Sequence, residues 1–160
     1  MSFLTLTLPD AQATERAGIA LASALAPGMV VTLAGDLGTG KTTLARGVLR
    51  GLGWTGPVKS PTYGLVEHYP LSNLYLYHFD FYRFDDPSEW DDSGVAEGFR
   101  QDTVCLVEWP ERVAQRLPVP DVAIALALPA TGAGGRHLTA RASTESGERC
   151  LIALAAALDA

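Results

Sequence analysis

The residues from Gly35 to Thr42 have the types and spacing that bind nucleotide phosphates. They read Gly-Asp-Leu-Gly-Thr-Gly-Lys-Thr and fit the pattern G-x-x-x-x-G-K-[ST] at every fixed position. In such a loop the glycines let backbone N–H groups turn toward phosphate oxygens, and the next helix adds its positive end. The lysine would reach the β- and γ-phosphates, and the Thr42 hydroxyl would ligate Mg²⁺. The expected phosphate contacts are Asp36, Leu37, Gly38, Thr39, Gly40, Lys41, Thr42 and Thr43.

Two acidic residues follow apolar runs that predict buried strands. Asp80 ends the run that begins at Leu74, and Glu108 ends the run that begins at Val104. In open α/β sheets ligands bind at the carboxyl ends of the strands, so both acids are expected to face the loop. One would hold Mg²⁺ and the other would orient water, but the residues alone do not rank them. Lys41, Asp80 and Glu108 are therefore predicted as catalytic residues, and Thr42, Asp80 and Glu108 as metal ligands.

Three further positions have a functional and a structural interpretation. Thr62, in Ser-Pro-Thr-Tyr, could bring its hydroxyl to Mg²⁺ or to the γ-phosphate and move after hydrolysis, so it is included as a catalytic candidate. The alternative is an ordinary turn. Trp109 either closes over the site or packs in the core. His78 alternates within a strand and is predicted to be structural.

Hydrophobic periodicity supplies the elements that must position these residues. Alternating or continuous apolar runs predict strands, and apolar residues at helical spacing predict helices. The predicted strands span residues 3–8, 30–34, 63–69, 74–79, 103–107, 122–128 and 137–143. The predicted helices span about 11–25, the stretch from the loop to about residue 52 and a short segment from residue 87, and a last helix carries Leu151, Ile152, Leu154, Ala155 and Leu158. The strands at 63–69 and 74–79 are joined too closely for a crossover, so they must form an antiparallel hairpin.

Composition limits the class of protein. The chain has 160 residues, 48% of them hydrophobic and 19% charged, which excludes wholesale disorder and suits one domain. We expect an α/β fold of the P-loop NTPase type, with a mixed β-sheet flanked by helices, in a single domain over residues 1–160. A net charge of −6 without a basic cluster disfavours direct nucleic-acid binding by the chain alone. The N-terminus lacks the pattern of a signal peptide, no tract is long enough to cross a membrane, and two isolated cysteines suit a reducing compartment, so a cytoplasmic protein is expected.

Four motifs occur in a specific order: Gly-Asp-Leu-Gly-Thr-Gly-Lys-Thr-Thr at 35–43, Val-Lys-Ser-Pro-Thr-Tyr at 58–63, Tyr-His-Phe-Asp-Phe-Tyr-Arg at 77–83 and Leu-Val-Glu-Trp-Pro at 106–110. Together they resemble the bacterial TsaE family, the small P-loop ATPases of tRNA threonylcarbamoyladenosine synthesis. The resemblance implies ATP and Mg²⁺ as cofactors and the TsaB and TsaD subunits as partners, with ATP hydrolysis driving or resetting their complex. It also implies that the segment from Asp10 to Thr14 lies near the adenine.

Other nucleotide-binding classes remain as alternatives. A small-molecule kinase usually adds an arginine-rich lid and an acceptor-binding region, for which few residues follow Glu108. A GTPase is disfavoured because the guanine-reading pattern Asn-Lys-x-Asp is absent from the sequence. The third class is a nucleotide-gated binding module with negligible turnover.

Overall fold

A computed structural model describes residues 2–61, 64–132 and 134–157, and their seven strands form one sheet. The strands are β1 (Ser2–Leu8), β2 (Val30–Ala34), β3 (Val66–Pro70), β4 (Tyr75–Asp80), β5 (Thr103–Glu108), β6 (Val122–Ala127) and β7 (Arg136–Ala142). The helices are α1 (Ala11–Ala22), α2 (Lys41–Gly51), α3 (Ser88–Ser93) and α4 (Glu145–Ala157), with short 3-10 helices at Val95–Gly98 and Pro110–Val113.

The order of the strands is β1-β7-β6-β2-β5-β4-β3, with a parallel centre and antiparallel margins. Strands β6, β2, β5 and β4 run parallel to one another, while β7 is antiparallel to β6 and β1, and β3 is antiparallel to β4. The carboxyl ends of the four central strands therefore meet at one edge, where β7 begins and β1 ends. This is the expected α/β architecture with a mixed sheet, and the expected hairpin is β3–β4.

Alternate residues of the central strands bury two separate hydrophobic clusters. Val31 and Leu106 belong to the cluster formed with α1, α2 and α4, whereas Val30 and Val107 belong to the cluster formed with α3 and the short helices. Successive side chains of a strand point to opposite faces, so these strands are apolar on both faces. The sheet is thus covered on both sides, and its polar groups concentrate at the strand ends.

Helices α1 and α2 cross in unusually close contact through two glycines. A Cβ atom at Gly18 would collide with the carbonyl oxygen of Leu44, and one at Gly47 would collide with the carbonyl oxygen of Glu15. Only residues without a side chain allow this approach of the two backbones. The crossing holds the N-terminal end of α1 beside the phosphate loop.

Two predicted boundaries are wrong, and backbone geometry explains both. The first helix ends at Ala22 rather than near residue 25, because the chain tightens there into i→i+3 bonds such as that from the N–H of Ser23 to the carbonyl of Ala20. Strand β3 begins at Val66, so residues 64 and 65 of the predicted strand precede it, and residue 63 lies outside the described residues. Leu65 has a φ of 69°, which is incompatible with an extended strand.

Within the part of the chain that the structure describes, every helix is too short or too polar to cross a lipid bilayer.

Candidate functional site

The phosphate loop joins β2 to α2 at the sheet edge where the central strands end. It leaves β2 after Ala34 and finishes at Gly40, which directly precedes the first residue of α2. Gly40 has a φ of 102°, in the left-handed region that favours glycine. The first N–H groups of a helix lack partners within it, so the loop and the start of α2 together can present donors to a phosphate.

Lys41 is buried at the start of α2 among groups that restrain its ammonium. Its Nζ donates a hydrogen bond to the carbonyl oxygen of Gly35 at 2.7 Å. The same atom lies 3.9 Å from Oε1 of Glu108 and 3.9 Å from the centroid of the Trp109 ring. Burial lowers the pKa of Lys41, while the carboxylates of Glu108 and Asp80 oppose that shift. The loop lysine is thus held close to the acidic residues.

Asp80 and Glu108 are the last residues of β4 and β5 and lie opposite each other in the register of these strands. Only 5% of Asp80 and 4% of Glu108 is exposed, so both carboxylates need polar partners. Oδ1 of Asp80 accepts a hydrogen bond from the backbone N–H of Tyr82 at 2.9 Å. The structure brings both strand-end acids to the loop lysine, and their roles in binding and catalysis stay predictions.

His78 belongs to this cluster through a contact that the sequence did not predict, and its role, expected to be structural, stays a prediction. Its ring is fully buried, and Nε2 lies 2.6 Å from Oε2 of Glu108. Nδ1 is buried without a hydrogen-bond partner among the described residues. A ring proton on Nε2 lets His78 donate to Glu108, whereas the other tautomer would bury an N–H without an acceptor. His78 therefore fixes one oxygen of Glu108, while the other faces Lys41.

Trp109 follows Glu108 with a backbone conformation that is rare for a large side chain. Its φ is 56°, in the left-handed region, which is a strained arrangement for a residue other than glycine. The ring lies over Lys41 and 4.9 Å from the ring of Tyr82, and it also packs against the second hydrophobic cluster. Both interpretations of Trp109 from the sequence thus apply, because one face covers the site and the ring contributes to packing.

Two adjoining cavities flank the loop. The first has a volume of about 380 Å³, within the range of ligand pockets, and the second about 320 Å³. The predicted site residues that line the first are Leu37, Gly38, Gly40, Lys41, Thr42, Thr43, Asp80 and Glu108. Those that line the second are Asp10, Thr14, Gly40 and Thr43. Gly40 and Thr43 border both cavities, so the two spaces meet at the start of α2.

Other predicted residues make local contacts within the loop or at the start of α1, and one lies outside the described chain. The hydroxyl of Thr39 donates to the carbonyl of Asp36 at 2.8 Å, which closes a local turn. Asp10 caps α1 by accepting from the N–H of Ala13 at 2.8 Å, and Thr14 donates to the carbonyl of Asp10 at 3.3 Å. Thr62 lies outside the described residues, so its predicted switch role stays a prediction.

Arg136 lies at the phosphate loop, and no sequence signal pointed to it. It begins β7, donates to the carbonyl oxygens of Gly38 and Thr39, and lines both cavities. The arginine is separated from the loop by 97 and 98 positions. Only the topology of the sheet brings the two together, and the sequence showed nothing more specific than a glycine-rich turn before a strand.

The residues at the first cavity fit a magnesium nucleotide by their chemistry. The hydroxyl of Thr42 and the carboxylates of Asp80 and Glu108 are hard oxygen donors, the kind that Mg²⁺ prefers. Across the described ranges there is no cluster of three or more His, Cys, Asp or Glu residues able to enclose a metal. Mg²⁺ usually keeps several waters and binds through few carboxylates together with substrate phosphates, so such a site does not require a protein cage.

Comparisons with known proteins agree on one family. The model of the family described as "Threonylcarbamoyl adenosine biosynthesis protein TsaE" matches residues 8–137. A TsaE protein of Haemophilus influenzae is 43% identical over 129 residues, which cover 78% of this chain and 82% of the relative. A TsaE protein of Bacillus subtilis is 49% identical over 92 residues, covering 58% of this chain and 57% of the relative. The crystal structure of Bacillus subtilis YdiB superposes with a TM-score of 0.80 at 32% identity, over 97% of this chain and 95% of that one. The P-loop NTPase-like α/β fold expected from the sequence is therefore confirmed.

Proposed function

The chain belongs to the TsaE family, and on that premise we propose that it binds and hydrolyses Mg-ATP in tRNA threonylcarbamoyladenosine biosynthesis. The hydrolysis cycle would drive or reset a complex of TsaB and TsaD rather than perform the transfer of the threonylcarbamoyl group. The partners come from the resemblance of the motifs to the family, whereas the nucleotide chemistry is supported by the site itself.

One observation carries the proposal: a buried lysine and two buried acids converge on a phosphate loop. Lys41 Nζ lies 3.9 Å from Oε1 of Glu108, and Asp80 of β4 lies opposite Glu108 in the register of the two strands. A bound triphosphate would exchange the contact between Lys41 and Gly35 for stronger contacts with charged phosphate oxygens. When bound, Mg²⁺ would neutralise negative charge on the β- and γ-phosphates.

We propose different tasks for the two acids. Glu108 has one oxygen held by His78 and the other turned toward Lys41, an arrangement suited to orienting water at the terminal phosphate. Asp80 would then hold the metal, directly or through water, with Thr42. We assign the orientation of water to Glu108 because His78 and Lys41 already contact both of its carboxylate oxygens before any ligand binds.

The adenosine part of the nucleotide is proposed to occupy the second cavity, beside Asp10 and Thr14. This cavity meets the phosphate cavity at Gly40 and Thr43, so one extended ligand could fill both. Thr62 would sense the terminal phosphate, and the complex with TsaB and TsaD would then distinguish ATP from ADP.

The proposal is tested by nucleotide affinity and turnover in the wild type and Lys41→Ala. Loss of a charged contact to phosphate costs about 1.5–3 kcal/mol, so Mg-ATP affinity should fall roughly 10- to 150-fold. Calorimetry measures binding, and phosphate release with and without a purified TsaB–TsaD complex measures hydrolysis. Arg149→Ala removes an exposed positive charge from α4 and should leave both quantities unchanged.

Equal affinity in the wild type and Lys41→Ala would contradict nucleotide binding by this loop. Binding without phosphate release, even with the TsaB–TsaD complex, would favour the gated binding module instead.

A further inference from the structure

The guanidinium of Arg136 contacts two consecutive peptide groups of the phosphate loop. Its Nε donates to the carbonyl oxygen of Thr39 at 3.0 Å, and its Nη2 donates to that of Gly38 at 3.1 Å. Nη1 donates to the carbonyl oxygen of Gly135 at 2.7 Å, which ties the same group to its own strand. The planar guanidinium therefore bonds to its own strand through Nη1 and to the phosphate loop through Nε and Nη2.

The anchor is itself part of the sheet. Arg136 is paired with Leu8 at the margin where β1 ends and β7 begins. Gly135 approaches the end of β1 so closely that an added Cβ would lie 2.5 Å from the carbonyl oxygen of Leu8. The backbone of Arg136 is thus held by strand pairing, in addition to the hydrogen bonds that its side chain makes.

Fixing these carbonyls also fixes the direction of two N–H groups. A trans peptide unit is planar, and its C=O and N–H bonds point in opposite directions. The carbonyl of Gly38 shares a peptide unit with the N–H of Thr39, and the carbonyl of Thr39 shares one with the N–H of Gly40. Arg136 therefore sets the orientation of the Gly40 N–H and of the Thr39 N–H, which in this structure donates to the carbonyl oxygen of Asp36 at 3.4 Å, in the segment that a phosphate would contact.

We propose that Arg136 is a positioning residue, which holds the phosphate loop in its binding shape before the nucleotide arrives. This role rests on the proposed function, because it serves nucleotide binding. The effect of Arg136 on the order of the loop, by contrast, is a property of the nucleotide-free protein. A loop that is already ordered loses less conformational freedom on binding, and each backbone residue ordered costs appreciable free energy. Arginine suits this role because its rigid fork reaches two acceptors at once, whereas the lysine ammonium is a single charged point.

The test compares Arg136→Lys and Arg136→Gln with the wild type. Arg141→Gln is the matched control, because Arg141 lies exposed on the same strand. Amide hydrogen exchange by NMR in the nucleotide-free protein reports order at Thr39 and Gly40, with Val31 and Leu33 of β2 as internal references. Calorimetry with a non-hydrolysable ATP analogue and Mg²⁺ reports affinity.

Both Arg136 variants should exchange at Thr39 and Gly40 at least about fivefold faster than the wild type, with β2 unchanged, and bind the analogue about tenfold more weakly. Arg136→Lys with wild-type exchange and affinity would overturn the proposal, since charge alone would then suffice. Equal acceleration of the loop and β2 would also overturn it, because that pattern reports general destabilisation. If the wild type itself binds no nucleotide, the proposed function fails, while the exchange comparison still decides the role of Arg136.

Discussion

On the β4–β5 side of the phosphate loop, side chains contact one another as well as backbone, whereas the contacts of Arg136 and Asp10 on the β7–α1 side are to backbone. The first side holds Lys41, Glu108 and His78 in one chain of polar contacts. On the second side, Arg136 donates to loop carbonyls, and Asp10 accepts from an amide of α1. The topology explains the contrast, because parallel strands bring their last residues together, while the antiparallel margin brings the start of one strand to the end of another.

This difference separates two contributions to one site. Side chains at the parallel strand ends are able to move protons, hold a metal or orient water. Contacts to backbone on the other side can only set the shape of the loop and of the helix end. Substitutions of the acids and of His78 on the first side should therefore affect hydrolysis or its magnesium requirement, whereas those on the second side should affect affinity or stability without changing the turnover of bound ATP.

The largest effect is expected from the two acids. Glu108→Gln should lower ATP turnover in the presence of the TsaB–TsaD complex by about 100-fold or more, with nearly unchanged nucleotide affinity, because general-base groups contribute about 10²–10⁴-fold. Asp80→Asn should instead raise the Mg²⁺ concentration needed for half-maximal activity. Phosphate release across a magnesium titration measures both effects.

Glu148→Gln, an exposed acid on α4, serves as the control for these substitutions. A raised magnesium requirement in Glu108→Gln together with a pure rate defect in Asp80→Asn would reverse the assignment. Unchanged turnover in both variants would remove the chemical role from this side of the loop.

A smaller effect is expected at His78, which acts through Glu108. His78→Leu removes the donor to Oε2 of Glu108 and should lower kcat by about tenfold, which corresponds to one lost hydrogen bond to a charged group, with little change in KM. His78→Gln retains an N–H donor and should recover part of the loss. Steady-state kinetics of both variants provide the measurement.

A merely structural histidine would give a different pattern in these kinetics. Both variants would then lower thermal stability without separating kcat from KM, and glutamine would not restore the rate. That result would assign the orientation of Glu108 to its other neighbours.

The sequence predicted the parts of this site that depend on neighbouring residues. The phosphate loop is a local motif, and Asp80 and Glu108 each end an apolar run, so their positions follow once the strands are recognised. The pairing of His78 with Glu108 depends on the register of β4 and β5, in which His78 lies opposite Leu106. A one-residue change of register would send these side chains to opposite faces, and no local pattern specifies it.

The contacts on the other side of the loop were harder to predict, because they depend on the whole topology. Arg136 reaches the loop only because β7 begins where the central strands end. The close crossing of α1 and α2 depends on Gly18 and Gly47. From the sequence alone, a glycine within a helix is expected only to destabilise that helix. The left-handed conformation of Trp109 is likewise a property of the folded site and not of its residue type.

The smallest effect is expected at Asp10, and it tests whether this side of the site works through backbone. Oδ1 of Asp10 accepts from the N–H of Ala13, as an N-cap does, so Asp10→Ala should lower the free energy of unfolding by about 1 kcal/mol. Asp10→Asn keeps an oxygen in the same place and should unfold at nearly the wild-type temperature, because asparagine caps as well as aspartate. Thermal unfolding monitored by circular dichroism, with Mg-ATP affinity measured in parallel, compares the two variants.

If Asp10 acts only as the N-cap of α1, Asp10→Ala should weaken Mg-ATP binding by a few-fold and Asp10→Asn should not. Turnover of bound ATP should then be the same in the wild type and both variants. A loss of affinity in Asp10→Asn equal to that in Asp10→Ala would instead assign a direct role to the carboxylate charge, and the contrast between the two sides of the loop would no longer hold.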